Sequence, residues 1–331
     1  ITREMIEVKS PGQGLQPYLI NELVGKKAKK FFSFGDYFFL SDIQDNLVVA
    51  RNYKFNRPFG IPVRYHDYMG LSSKTNVDFI EFHLSYKDLE EDISALFDKV
   101  QDIGFAVHSP ELFFGDHILN LCSNDLKYLN HSINELQNVV NITRTLKPYF
   151  PNTKRPVIVT NVGGFSNDGF LPKEKRIEMY EKISNSLDKI DSENVEIIIQ
   201  TMPPFPWHFG GQGFHNLFVN PNEIAAFCEK TGYRICLDIS HSQMACSFYK
   251  WSLEDFIKKV GKYVAHLHIV DSLGVDGEGV QIGEGDVDFT KLGGILDKLL
   301  PNVQFIPEIW QGHKQQGAGF WLGLDFLEDY L

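Results

Sequence analysis

His266 and His268 sit two residues apart in an apolar run, Val264 to Val270, that ends on Asp271 and opens into a glycine-rich acidic loop reaching Phe289. On a strand, residues two apart share a face, so both imidazoles point the same way. A polar residue at the carboxyl end of a buried strand makes poor core and a plausible site. Other apolar runs end in the same manner: on His66 and Asp67, Glu81 and His83, His108 and Glu111, Asn161, Gln200, Asp238 and His241, and Glu308. Most of the eleven histidines fall in this set. Carboxylates and imidazoles gathered in one place suit a divalent cation such as Mn, Mg, Co or Zn, and unpaired cysteines exclude a Cys-type structural zinc site. Asp238, His268 and Glu308, from three successive runs, are the candidate ligands. Any one of them alone reads equally well as a satisfied core group. Jointly they would need three separate sets of partners, which favours a shared cation.

The elements that position these residues follow a regular rhythm from Val48 onward. Strands are expected at Gly60 to His66, Phe79 to Leu84, Phe105 to Ser109, Val157 to Val162, Val195 to Gln200, Arg234 to Ile239, Val264 to Val270 and Gln304 to Ile309. Each is short, β-branched or aromatic, and separated from the next by a helical segment. Asn220-Pro221-Asn222-Glu223 offers an N-cap with proline at the first position, and Gly232 closes that helix. Ser252 begins another, ending at Gly261, and Asp88 to Ile103 places Leu89, Ile93, Leu96, Phe97 and Val100 on one helical face. The Phe113 to Asn152 connection is mostly helical in pattern. Eight strand–helix units over about 280 residues predict an α/β fold, a (β/α)8 TIM barrel, whose usual size is about 250 residues. An open doubly wound sheet fits less well, because no strand leads into a glycine-rich phosphate loop.

In such a barrel the working groups lie at the carboxyl ends of the strands. Glu81 and His83 share a face and are expected to point into the mouth. Arg64 is a candidate for anion binding, and Lys314, after Glu308, could supply a second cation for a phosphate or carboxylate. The Pro203 to Phe218 loop carries Phe205, Trp207 and Phe209 beside Gly210, Gly211 and Gly213, a set suited to stacking on a sugar face. Its bland alternative is simple packing on the barrel rim. His208 and His215 read as lid or surface residues. No G-x-S-x-G elbow or Ser-His-Asp set is present.

Two resemblances sharpen this. His108-Ser109-Pro110-Glu111, Leu237 to His241, His266-Leu267-His268, Gly283 to Asp286 and Pro307-Glu308-Ile309 resemble, in order, the xylose isomerase-like sugar phosphate isomerase/epimerase family, which shares its barrel with the AP endonuclease family 2 type, over residues 50 to 331. The resemblance implies metal ligands on the last four strands, here Gln200, Asp238, His268 and Glu308, with His241 and His108 contacting substrate and Glu308 as base. Two departures stand out. Gln200 replaces a glutamate that acts as one of two bases in the family's epimerases; its amide can ligate a metal but cannot carry a proton back and forth. Asn161 replaces a histidine of the nuclease branch. The second resemblance lies in residues 1 to 48: Lys9 to Tyr18 and Leu23 to Lys27 are similar to the antifreeze-like (SAF) domain of sialic acid synthases, in truncated and β-rich form. The implied division is 1–48 and 49–331.

Composition limits the alternatives. A net charge of −11 argues against a nucleic-acid partner, and no apolar run approaches a membrane span. Cys122, Cys228, Cys236 and Cys246 lack framework spacing and read as reduced cytoplasmic thiols. The start at Ile1 without methionine reads as part of a longer protein. The expectation is a cytoplasmic, metal-dependent sugar or sugar-phosphate isomerase or epimerase, set in nonulosonate or surface-polysaccharide synthesis, with homo-oligomerisation open. Its alternative is a barrel without chemistry that binds sugar as an accessory module, which Gln200 and Asn161 favour.

Overall fold

The computed structural model describes residues 1–9, 15, 17–28, 31–38, 49–206 and 213–331. Eight parallel strands form one sheet in sequential order: β1 (Gly60–Val63), β2 (Phe79–His83), β3 (Gly104–His108), β4 (Val157–Thr160), β5 (Glu196–Gln200), β6 (Ile235–Asp238), β7 (Val264–Ile269) and β8 (Phe305–Pro307). A parallel bridge between Phe59 and Phe305, with Phe305 N donating to Pro58 O at 3.1 Å, brings β8 back to β1. The result is the expected TIM barrel, and every expected strand is present with its ends trimmed. β1 stops at Val63, where Asp67 Oδ1 accepts from Arg64 N at 2.7 Å to start a turn that leaves His66 exposed.

The barrel interior is layered as alternation demands. At its lower end Phe79, Ala106 and Ile306 pack together, as do Val159, Ile198 and Cys236. Further along β2 the inward residue is Glu81, and on β7 it is His266, level with Cys236. At the carboxyl ends come His83, His108, Gln200, Asp238, His268 and Glu308. The larger apolar core lies outside the strands, between sheet and helices. All four cysteines are free and buried.

Helices α1 (Leu126–Leu146), α2 (Lys173–Leu187), α3 (Pro221–Thr231), α4 (Ile239–Tyr249), α5 (Leu253–Val260), α6 (Phe289–Leu299) and α7 (Lys314–Leu327) cover the sheet. Their ends match the sequence signals where these were legible. Asn220 caps α3 by accepting from Asn222 N, and Gly232 closes it at φ 79°. Ser252 caps α5.

The helix expected over Asp88 to Ile103 does not form as one piece. A 3-10 turn at Tyr86–Leu89 is followed by a single helical turn at Ile93–Leu96. Asp88 accepts from Ser85 and Asp92 from Ser94, so two helix-starting devices interrupt the segment, and Leu96 and Val100 are exposed.

Among the described residues of 1–48 there is no strand, contrary to the β-rich expectation. They hold two 3-10 turns and one short helix, Ile20–Leu23. Each apolar piece is too short, and too often broken by glycine or proline, to build a ladder of its own. Among the described residues no helix is long and apolar enough to cross a membrane.

Candidate metal centre at the barrel mouth

The register of the parallel strands places the site. Gln200 is level with Cys236, and Asp238 is level with His268. Glu308 follows directly on β8, whose Ile306 is level with His268. Four candidate ligand groups therefore meet over the last four strands. Asp238 Oδ2 is 3.0 Å from Gln200 Nε2 and 3.9 Å from His268 Nδ1. His268 Nδ1 is 2.6 Å from Glu308 Oε2 and 3.2 Å from the Gln200 amide nitrogen. Ligand atoms bound at about 2.1 Å in an octahedral sphere sit about 3 Å from their neighbours, so His268 and Glu308, with His108 beside them, stand within reach of one cation, and Asp238 would have to close on it.

The donor chemistry fits a cation as well. Asp238 and Glu308 are acceptors only, and His268 turns Nδ1 toward them. In the absence of a cation a proton serves instead. Burial pushes His268 down, but Cys236, Glu308 and Glu81 override it and hold this imidazole well above its ordinary range. Burial raises Glu308, with His268 pulling it down and Asp238 pushing it up, for a net rise. Gln200 directs its NH2 at Asp238 and its Oε1 at His108 Nε2, 3.1 Å away. His108 Nδ1 lies 2.8 Å from the Ser109 carbonyl, which fixes the proton on Nδ1 and leaves Nε2 an acceptor. Turning the Gln200 amide over matches both needs: NH2 to His108, and Oε1 into the ligand set. The residues fit a divalent metal.

Asp238 is also the N-cap of α4. Its Oδ1 accepts from His241 N at 2.8 Å, which holds the side chain while Oδ2 stays turned to the site. His241 donates Nδ1–H to the Thr201 carbonyl at 2.7 Å, and its Nε2 meets Glu278 Oε1 at 2.9 Å. Burial pulls His241 down; Asp238 and Glu278 more than offset it, raising it to about 10. Glu278 comes from a small ribbon, Asp271–Leu273 paired with Gly277–Val280, and the sequence offered no signal for it beyond its acidic loop. His83 stands at the rim, stacked on His108 at 4.8 Å, with Nδ1 3.7 Å from Glu308 Oε1. Burial lowers it to about 3, so it is a neutral imidazole.

Several expected residues are elsewhere. Glu81 does not reach the mouth: it is fully buried beneath it, its Oε1 engaged by His83 and His268. Asp271 is a loop organiser. It accepts from the backbone N–H groups of Ser272, Gly283, Gly285 and Val287, so the acidic loop folds around it. Asn161 donates to Glu111 Oε2 at 2.6 Å. Phe205 packs in an aromatic cluster with Phe170, Phe214 and Phe248, the rim-packing alternative. Trp207, with His208 and Phe209, lies outside the described residues. Arg64 is half-exposed, its nearest acid being Asp88 at 3.7 Å. His313 is lowered by burial first and then by its neighbour Lys314, with Asp67 opposing and Arg64 adding to the effect.

Eight parallel strands, each leading into covering helices, with polar side chains gathered at their carboxyl ends, define the (β/α)8 barrel class. Within it, the chain belongs to the xylose isomerase-like TIM barrel family, whose profile matches residues 70–330. Solved structures with the same fold include a D-tagatose 3-epimerase-like protein (18% identical, TM-score 0.58, covering 82% of this chain and 96% of that one). An L-ribulose 3-epimerase is 13% identical at TM-score 0.57, covering 83% and 95%. A 3-keto-D-glucoside 4-epimerase from E. coli is 12% identical at TM-score 0.55, covering 82% and 99%. No curated protein matches the chain significantly.

Proposed function

We propose that this chain is a divalent-metal-dependent sugar or sugar-phosphate isomerase or epimerase. The observation that carries the reading is the meeting of Gln200, Asp238 and Glu308 around His268 at the strand ends, each with an atom within 4 Å of His268 Nδ1. It is supported by structural neighbours that are sugar epimerases or epimerase-like proteins. Mn, Co, Mg or Zn would be held by those four side chains, and once bound would polarise a sugar carbonyl or hydroxyl. Glu308, partly accessible and next to neutral His83, is the group set to take a proton from carbon. His108 would orient a sugar oxygen, and His241 would do so by exchanging its Nε2 contact with Glu278 for the sugar. Gln200 cannot act as a second base, so a reaction that returns the proton from the same side, or a hydride shift, suits the site better than two-base epimerisation.

Arg64 and Lys314 would receive a phosphate or carboxylate on the substrate, and Trp207 would stack on it. The setting we propose, nonulosonate or surface-polysaccharide synthesis in the cytoplasm, rests on the likeness of Lys9 to Tyr18 and Leu23 to Lys27 to the SAF domain. That likeness also marks residues 1–48 off from the barrel at 49–331.

The second reading, a sugar-binding accessory barrel, is favoured by Gln200 taking the place of a charged ligand. Metal content of the purified protein and of Asp238→Ala separates the two. Near-stoichiometric metal in the wild type, lost in the variant, supports the enzyme. No metal after incubation with excess supports the accessory role.

A further inference from the structure

We infer that Glu81 is a positioning residue for the metal ligand His268, dictating which of its nitrogens meets the cation; this rests on the metal-dependent reading above. Glu81 lies in the middle of the barrel, 0% exposed, reached by three imidazoles. His268 Nε2 is 3.0 Å and His83 Nε2 2.9 Å from its Oε1. His266 Nε2 is 2.7 Å from Oε2, off the line of a good hydrogen bond. A carboxyl proton could serve one of these three contacts at most; the others require imidazole N–H donors.

His266 is held in turn from its other side, where Nδ1 meets Gln304 Nε2 at 3.1 Å. An amide NH2 donates there, so Nδ1 of His266 accepts and its proton sits on Nε2, facing Glu81. That N–H stands against Oε2, while Oε1 takes the contacts of His83 and His268. For His268 the consequence is directional. Nε2–H is committed to Glu81, the ring plane is fixed, and Nδ1 is the only nitrogen available to the set formed by Asp238, Glu308 and Gln200. Carboxylates behind a metal-bound histidine fix its tautomer and orientation in this way, and losing one weakens metal binding roughly 10–100-fold.

The test has two readouts. Titration with Zn and Mn measures the affinity of wild type, Glu81→Gln and His266→Asn, while ¹⁵N spectra of the imidazoles record which nitrogen of His268 is protonated. Glutamine keeps the shape of Glu81 but must turn an NH2 toward one of its imidazoles. We expect a 10–100-fold loss of affinity in Glu81→Gln and a loss smaller than threefold in His266→Asn, which disturbs the same buried cluster without touching the Glu81–His268 contact. In the wild type, Nε2–H is expected with and without Zn.

Wild-type affinity in Glu81→Gln, or a wild-type His268 protonated on Nδ1 alone, overturns the inference. An equal loss in both variants reduces Glu81 to a packing role and does the same. If Glu81→Gln does not fold, the wild-type spectrum decides. Should the wild type bind neither metal, the proposed function fails, while the metal-free spectrum still reports whether Glu81 governs His268.

Discussion

Glu81, in the middle of β2, and Asp271, just past β7, are both carboxylates already occupied by the fold. Two imidazoles hold Oε1 of the first while a third stands against its Oε2, and four backbone amides hold the second. A sequence gives residue type and face; it does not say whether an acceptor has been used up by the fold. Asp238, His268 and Glu308 were legible because their strands were legible and their side chains face the same axis. Glu81 was misplaced by one layer, since alternation fixes the side of a strand but not the depth. A residue outside the site gives a prediction in pH. Burial, with His131 adding repulsion, lowers His117 from 6.5 to about 4. Its ring packs on Tyr128 and His131, the latter 3.7 Å from Glu135, and its Nε2 meets Ser132. The unfolded chain takes up a proton below 6.5 that the folded chain refuses until about 4. The stability tied to His117 is therefore complete above that window and falls as pH drops through it. Melting temperature against pH should decline less steeply across the window in His117→Gln than in the wild type.

The ribbon and loop from Asp271 to Asp288 form the element that delivers Glu278 to His241. Gly285 lies against the organiser of that loop: a Cβ there would stand 2.3 Å from Ser272 O and 2.4 Å from Asp271 Oδ1. Gly285→Ala should destabilise the fold by about 1–3 kcal/mol through this overlap, read as a lower urea midpoint. Gly294→Ala, whose added carbon meets nothing, serves as the control in a neighbouring helix. The glycines and acids of this stretch were visible in the sequence as a candidate site. Their actual work is to wrap one carboxylate, and spacing alone does not separate that from ligand binding. The broken segment at Tyr86 to Leu96 teaches the converse. Its apolar period was helical, yet local caps at Asp88 and Asp92 prevailed over the pattern.

At the scale of the whole molecule, the two ends of the barrel are fastened to each other. Arg51 pairs with Asp325 and Glu328 at 2.6 and 2.7 Å, and Lys54 N donates to Glu328 at 2.6 Å. Asn56 N donates to the carbonyl of Leu331, and Arg57 bridges Asp297 and the Leu300 carbonyl. A chain of residues 49–331 should therefore melt cooperatively within a few degrees of the full chain, whereas one starting at Pro58 should melt markedly lower. Differential scanning calorimetry of the three chains checks both, and a large loss in the first would unseat the division at residue 48.

The same strand order carries a consequence in time. β8 is last in the chain and joins β1, while Glu308 stands immediately beyond it. Contacts this distant in sequence form late, because the loop between them must close first. During synthesis Gln200, Asp238 and His268 emerge well before Glu308, so a nascent chain carries only part of the ligand set until its final strand docks. The cluster at the mouth is complete only in the closed barrel.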